Sequence, residues 1–245
     1  MIYTIGFLIA LIIGLTGVGG GTITVPVLIL FLHMAPGKTV GTALLFTAAV
    51  KLLVAPVYLY RKQVNFRVFA LMAAGGLPGL LIGLYFLRIS EQRGFVNLVI
   101  GPVIMITALI TVFRTAFGGP ARPRRDRARW LPWLMLPIGA EVGFSSAGAG
   151  AIGSLALLNL TKLSVPEVAG TDIAFGLTLS LIGGGIQMQA GIYDPAVLMQ
   201  MVVGGIFGGL LGPNLMRWLP AKPLRVGLCL WLASLGGLLF WRAMF

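Results

Sequence analysis

Long apolar runs alternate with short polar joints along this chain. The runs cover about 2–17, 20–34, 40–60, 67–87, 94–116, 131–146, 149–161, 168–190, 195–216 and 224–245. A helix that crosses a bilayer needs about 20 residues. Six runs reach that length. Four are shorter, and they form two pairs joined through glycines: 2–17 with 20–34, and 131–146 with 149–161. The pattern predicts an all-α integral membrane protein in which two helix pairs are broken by glycine. Met1–Ala10 has no charged start and leads into a glycine run, not a cleavage site, so it reads as mature sequence.

Composition supports the same class. Of 245 residues, 58% are hydrophobic and 10% charged, and the mean hydropathy is +0.99. A soluble domain carries roughly 25% charged residues, so this chain could not coat a water-facing surface. Cys229 is the only cysteine and excludes an internal disulfide. Glycine supplies 35 residues, about twice the usual share, which points to close helix packing or deliberate helix breaks.

Those glycines repeat. Shifting the sequence by 129 places Gly14, Gly19, Gly21, Gly41, Gly75, Gly76, Gly79 and Gly83 on Gly143, Gly148, Gly150, Gly170, Gly204, Gly205, Gly208 and Gly212. Eight of the 14 glycines in residues 1–116 coincide with a glycine, where chance predicts about 2. Thr42, Phe46 and Arg88 fall on Thr171, Phe175 and Arg217. The expected organisation is therefore two homologous repeats, 1–116 and 131–245, joined by a linker, 117–130. Each repeat holds one glycine-broken pair and three full transmembrane helices. Duplicated halves with interrupted helices are a transporter signature.

The net charge of +12 reads as topogenic. Six basic residues cluster at Arg114, Arg122, Arg124, Arg125, Arg127 and Arg129, between the two halves. Basic loops beside spans mark the cytoplasmic side, and they also suit anionic lipid headgroups. No aromatic stacking surface accompanies them, so nucleic acid is not expected. If each broken pair crosses once, the basic residues divide 10 against 7; if each pair returns to its starting side, they divide 13 against 4. The second count favours inverted repeats. Trp130, Trp133, Trp218 and Trp241, with Tyr58, Tyr60, Tyr85 and Tyr193, lie near span ends as an interfacial belt would.

The glycine breaks are the first candidate site. Gly14–Thr22 and Gly143–Gly150 cannot continue a stable helix. Non-helical backbone inside a membrane must be buried or line a wet cavity. A helix that restarts there offers free N–H donors and a positive dipole end. Two such ends facing each other would hold an anion, through Gly19, Gly20, Gly21, Gly148 and Gly150, with hydroxyls from Thr16, Thr22, Ser145 and Ser146. The plainer alternative is a small-residue packing seam.

Lys51 is the second candidate. It stands mid-way along 40–60, about 15 Å from either interface, too deep to snorkel. Thr47 shares its face. Lys51 would balance a bound anion or pair with an intramembrane acid; its repeat partner is Ser180. The acids are Glu141, before the second break, and Asp172, about five residues into the span from 168. A carboxyl near the bilayer centre is costly to ionise, which makes each a candidate proton carrier. Glu141 would alternatively pair with Lys51, and Asp172 would either line a vestibule or face the interface. Ser164-Val-Pro-Glu167 reads as a capping box. Of Gln187 and Gln189, two apart, only one can face inward. His33 reads as interfacial. There is no metal-ligand spacing, no Walker motif, no cofactor signature and no nucleophile elbow for the single histidine.

Gly17-Val-Gly-Gly-Gly-Thr-Ile-Thr-Val-Pro-Val-Leu28, Val40-Gly-Thr-Ala-Leu44, Gly75-Gly-Leu-Pro-Gly79, Gly148-Ala-Gly150 and Ala169-Gly-Thr171 together resemble the TauE/SafE sulfite exporter (TSUP) family, over nearly the whole chain. The resemblance implies a multi-pass carrier of the bacterial inner membrane for sulfite, thiosulfate or organosulfonates such as sulfoacetate. Members are described with seven or eight spans, fewer than the ten segments here. The second break, Phe144-Ser-Ser-Ala-Gly-Ala-Gly150, is poorer in glycine than the family's usual motif. The expectation is thus a non-enzymatic, proton-coupled secondary transporter of small sulfur anions working by alternating access. A passive channel and a non-transporting membrane scaffold are the alternatives, and a homo-oligomer is compatible with all three.

Overall fold

Glycine and proline punctuate the apolar runs into helices. In the computed structural model the described residues are 1–16, 20–92, 127–146 and 151–215, with single residues and short pieces within 99–109 and 227–241. The first half forms α1 (Ile2–Thr16), α2 (Gly20–Leu32), α3 (Pro36–Tyr60) and α4 (Phe66–Gln92). A 3-10 turn (Ala128–Trp130) leads into α5 (Leu131–Ser145), α6 (Ala151–Leu160), α7 (Val165–Gln189) and α8 (Pro195–Leu215). The protein is all-helical and of the membrane class. Pro36–Tyr60, Phe66–Glu91 and Val165–Gln189 are long and apolar enough to cross a bilayer. The last span expected of each repeat, 94–116 and 224–245, lies largely outside the described residues.

Local signals set the helix starts. Pro36 opens α3 in its first turn, where the missing N–H costs nothing. Glu167 accepts hydrogen bonds from the Ser164 N–H (2.8 Å) and hydroxyl (2.6 Å), so the capping box forms. Asn65 Oδ1 accepts from the Val68 N–H at 3.1 Å to cap α4. Asp194 Oδ1 does the same for α8, accepting from Ala196 and Val197, both at 3.0 Å. Trp130, Trp133, Trp241, Tyr60 and Tyr85 are exposed, as a belt requires; Trp218 lies outside the described residues.

Helices from different halves pack most closely. On α4, a Cβ at Gly75, Gly79 or Gly83 would strike the main-chain oxygen of Pro132, Leu136 or Ala140 on α5. On α8, a Cβ at Gly204 or Gly208 would strike that of Tyr3 or Phe7 on α1. Numbers rise together in both seams, so each pair is parallel, and the two seams are related by the shift of 129. Two cores follow the same exchange. One joins Met72 of the first half to Ile138, Phe175 and Leu179 of the second. The other joins Met201 of the second half to Ile9, Phe46 and Val50 of the first.

The two central helices cross head to tail. Gly41 near the start of α3 lies on the Ile192 carbonyl just beyond α7, and Gly170 near the start of α7 lies on the Gln63 carbonyl just beyond α3. Two hydrogen bonds repeat the exchange. The Asp194 N–H donates to Thr42 Oγ1 and the Asn65 N–H to Thr171 Oγ1, both at 3.0 Å. Helices α3 and α7 are therefore antiparallel. Reciprocal contacts of this kind are those of a two-fold relation between the halves.

Candidate functional site

Lys51 lies in the fifth turn of α3 and is buried, with 8% of its surface exposed. Its Nζ fills the notch left by the missing side chain of Gly176 on α7; a Cβ there would fall on the ammonium. Gly176 is the residue that the shift of 129 pairs with Thr47. One helical turn before Gly176, on the same face, is Asp172, also buried at 5%. It carries the opposite charge, one turn along α7 from the notch that the Lys51 ammonium fills. Asp172 is in turn held by α6. The Ser154 hydroxyl donates to its Oδ2 at 2.8 Å, and a Cβ on Gly153 would approach its Oδ1 to 2.5 Å. Asp172 thus belongs to the interior beside Lys51. Glu141 is half-buried on α5.

The first glycine break reaches this centre from the other side. Helix α2 starts at Gly20, which packs on Thr47 Oγ1, 2.6 Å from where its Cβ would be. Gly21 packs on the main-chain oxygen and hydroxyl of Ser146. Ser146 ends α5 in the left-handed region (φ 57°), with its N–H donating to the Val142 carbonyl at 2.8 Å. The first turn of α2 is therefore seated between α3 and the tail of α5. A helix's first turn carries N–H groups with no intrahelical partner.

Two hydroxyls at this seat are unsatisfied. Thr47 Oγ1 and Ser146 Oγ are buried without a hydrogen-bond partner among the described residues, and their residues are 3% and 6% exposed. Other buried threonines behave differently: Thr24 and Thr42 within helices, and Thr161 just after α6, donate to the carbonyl four residues earlier, at 2.6–2.8 Å. An unsatisfied buried hydroxyl costs about 1–3 kcal/mol. Thr22 and Ser145 are buried nearby, the latter donating to the Glu141 carbonyl at 3.0 Å. Gly19, Gly148 and Gly150 lie outside the described residues, as does the side chain of Thr16 at the end of α1. Among the described residues, no group of His, Cys, Asp and Glu could hold a metal ion.

A model of the family described as "Sulfite exporter TauE/SafE" matches residues 2–239. The chain belongs to that family. Two similar Bacillus subtilis (strain 168) proteins are named probable membrane transporter proteins. YjnA is 26% identical, covering 91% of this chain and 92% of its own length; YunE is 24% identical, covering 100% and 98%. A Haemophilus influenzae protein with the same description is 26% identical over 88% of this chain and 84% of its own. No solved structure matches. This TauE/SafE protein is a membrane transporter.

Within this TauE/SafE protein, three residues beyond the sequence candidates stand at the centre: Gly176, Ser154 and Gly153. Gly176 had a usable signal, since it is the repeat partner of Thr47 and one turn from Asp172. Ser154 had none beyond being polar in a short apolar run. Gln187 is buried and Gln189 exposed, as their spacing required, and His33 is exposed with a left-handed φ of 51°.

Proposed function

We propose that this chain is a secondary carrier of small sulfur-containing anions, namely sulfite, thiosulfate or organosulfonates such as sulfoacetate. It moves them across a bacterial inner membrane by proton-coupled alternating access. The family points to the substrate class. The observation that supports the anion reading is the cluster itself: a buried lysine, two buried hydroxyls without partners among the described residues, and Gly20 and Gly21 of α2 packed on those hydroxyls. A dry packing seam would leave Thr47 and Ser146 bonded to carbonyls. A cation beside free donors favours negative charge.

In this reading the repeats 1–116 and 131–245 are inverted in the membrane, with the basic linker 117–130 cytoplasmic. The anion rests between the halves. Thr47, Ser146, Thr22, Ser145 and the first N–H groups of α2 hold its oxygens, together with Thr16 and the break residues Gly19, Gly20, Gly21, Gly148 and Gly150. Lys51 balances the charge, and a carboxyl, Glu141 or Asp172, carries the coupling proton. Reconstitution in liposomes tests it. Lys51→Ala should reduce sulfite or sulfonate flux at least tenfold while the protein stays folded and monodisperse. Flux equal to wild type would remove Lys51 from the site.

A further inference from the structure

We propose that the site takes a monoanion together with one proton, and that Asp172 is the proton carrier. This rests on the anion-site reading above and narrows it. Lys51 and Asp172 are the two buried charges among the described residues. Geometry makes them neighbours: Lys51 Nζ sits on Gly176, one turn from Asp172 on the same face of α7. Of the other charged residues on the helices packed against α7, Lys38 on α3 and Arg67, Arg88 and Glu91 on α4 are exposed, and α6 carries none. Glu141 on α5 is half-buried with its Oε1 enclosed; the proton is assigned to Asp172 because that residue shares the face of α7 that holds the Lys51 ammonium. On α7 itself, Glu167 is tied to Ser164 at the helix start.

Charge balance then decides what can bind. With Asp172 ionised, it offsets Lys51 and the empty site is neutral. A monoanion added to that state leaves one uncompensated negative charge inside the membrane, which is costly. With Asp172 protonated, the site carries the lysine charge alone, and a monoanion brings it back to zero. A dianion leaves an excess charge in either state. The favoured cargo is therefore a sulfonate monoanion or hydrogensulfite, and sulfate, thiosulfate and the sulfite dianion are disfavoured.

The empty and loaded forms are then both neutral, so both can reorient. Asp172 takes one proton from the side the site faces and releases it with the anion on the other. Only that carboxyl O–H bond forms and breaks, and Lys51 stays protonated throughout. The result is electroneutral movement of one proton with one anion. The Ser154 hydroxyl, donating to Asp172 Oδ2, holds the carboxylate in its empty state.

Titration calorimetry of the purified full chain with sodium methanesulfonate tests this, using buffers of different ionisation heat to count protons. One proton should be taken up per anion bound. Affinity should fall about tenfold per pH unit across the range in which Asp172 is ionised. Sulfate should bind at least tenfold more weakly. Asp172→Asn should bind methanesulfonate with no proton uptake and no pH dependence. Ser154→Ala guards against a folding defect in that variant: it should keep the one-proton count and move the loss of binding to higher pH. Binding by wild type without proton uptake, uptake persisting in Asp172→Asn, or tighter binding of sulfate would each overturn the inference while leaving the anion site intact. If wild type bound neither anion, the anion site itself would fall, and this with it.

Discussion

At the scale of single residues, a lysine in the middle of a 25-residue apolar helix needs a place for its ammonium. Gly176 supplies it by having no side chain. The contrast with Gly75 yields a prediction. A Cβ at Gly176 meets the far end of a flexible lysine, whereas one at Gly75 meets the Pro132 main chain. Gly176→Ala should therefore fold, because helix propensity gains about 1 kcal/mol while the ammonium shifts aside. It should nevertheless lower anion flux at least tenfold, since a displaced charge loses its alignment with the bound anion. Gly75→Ala should instead lower stability by about 1–3 kcal/mol through overpacking. Paired flux and melting measurements would separate these outcomes, and a Gly176→Ala carrier with normal flux would show that the lysine's position is unimportant. Lys51 was legible in the sequence, because one base in an apolar run stands out. Gly176 was not, because it is one glycine among 35 and its role appears only when α3 crosses α7. Asp172 was legible as a candidate and ambiguous in place, because its neighbours come from other helices: Lys51 from α3, far away in the chain, and Ser154 from the preceding α6.

At the scale of elements, each hairpin turn of one half is latched to the central helix of the other. The Asp194 N–H bonds Thr42, and the Asn65 N–H bonds Thr171. Thr42→Val or Thr171→Val would keep the shape and leave a partly buried N–H without its acceptor. Each should cost about 1–3 kcal/mol, and the double variant should be close to additive, since the latches share no partner. Thermal unfolding in detergent would read this as two similar drops in apparent melting temperature that sum; no drop in either variant would show that the latches contribute nothing. The helices themselves were readable from apolar length, glycine breaks and the Ser164–Glu167 capping box. Thr42 and Thr171 were visible as repeat equivalents. Their partners were not, because nothing local to either threonine indicates a turn in the other half, 152 residues from Thr42 and 106 from Thr171.

At the scale of the whole molecule, antiparallel α3 and α7 constrain how the halves sit in a membrane. The turn after α3 lies beside the start of α7, and the turn after α7 lies beside the start of α3. The two turns are therefore at opposite ends of the central crossing. Their charges differ in the sense that topology requires. The first carries Arg61 and Lys62, with Arg67 at the start of α4 and Lys162 just before α7; the second carries Asp194 and no base, with Lys38 at the start of α3. Basic turns are retained on the cytoplasmic side, so the proposed topology has α3 running inward and α7 outward, with equivalent helices of the two halves crossing in opposite senses. Inversion matters for transport, because a site between two inverted halves can open to either side by one half adopting the other's conformation. The expected outcome is testable in intact cells on a Cys229→Ser background. A cysteine replacing Lys62 should react with a membrane-impermeant maleimide only after the cells are broken. One replacing Tyr193 should react in intact cells. Labelling of both positions from the same side would refute the inverted arrangement and with it the two-sided access that the proposed carrier needs.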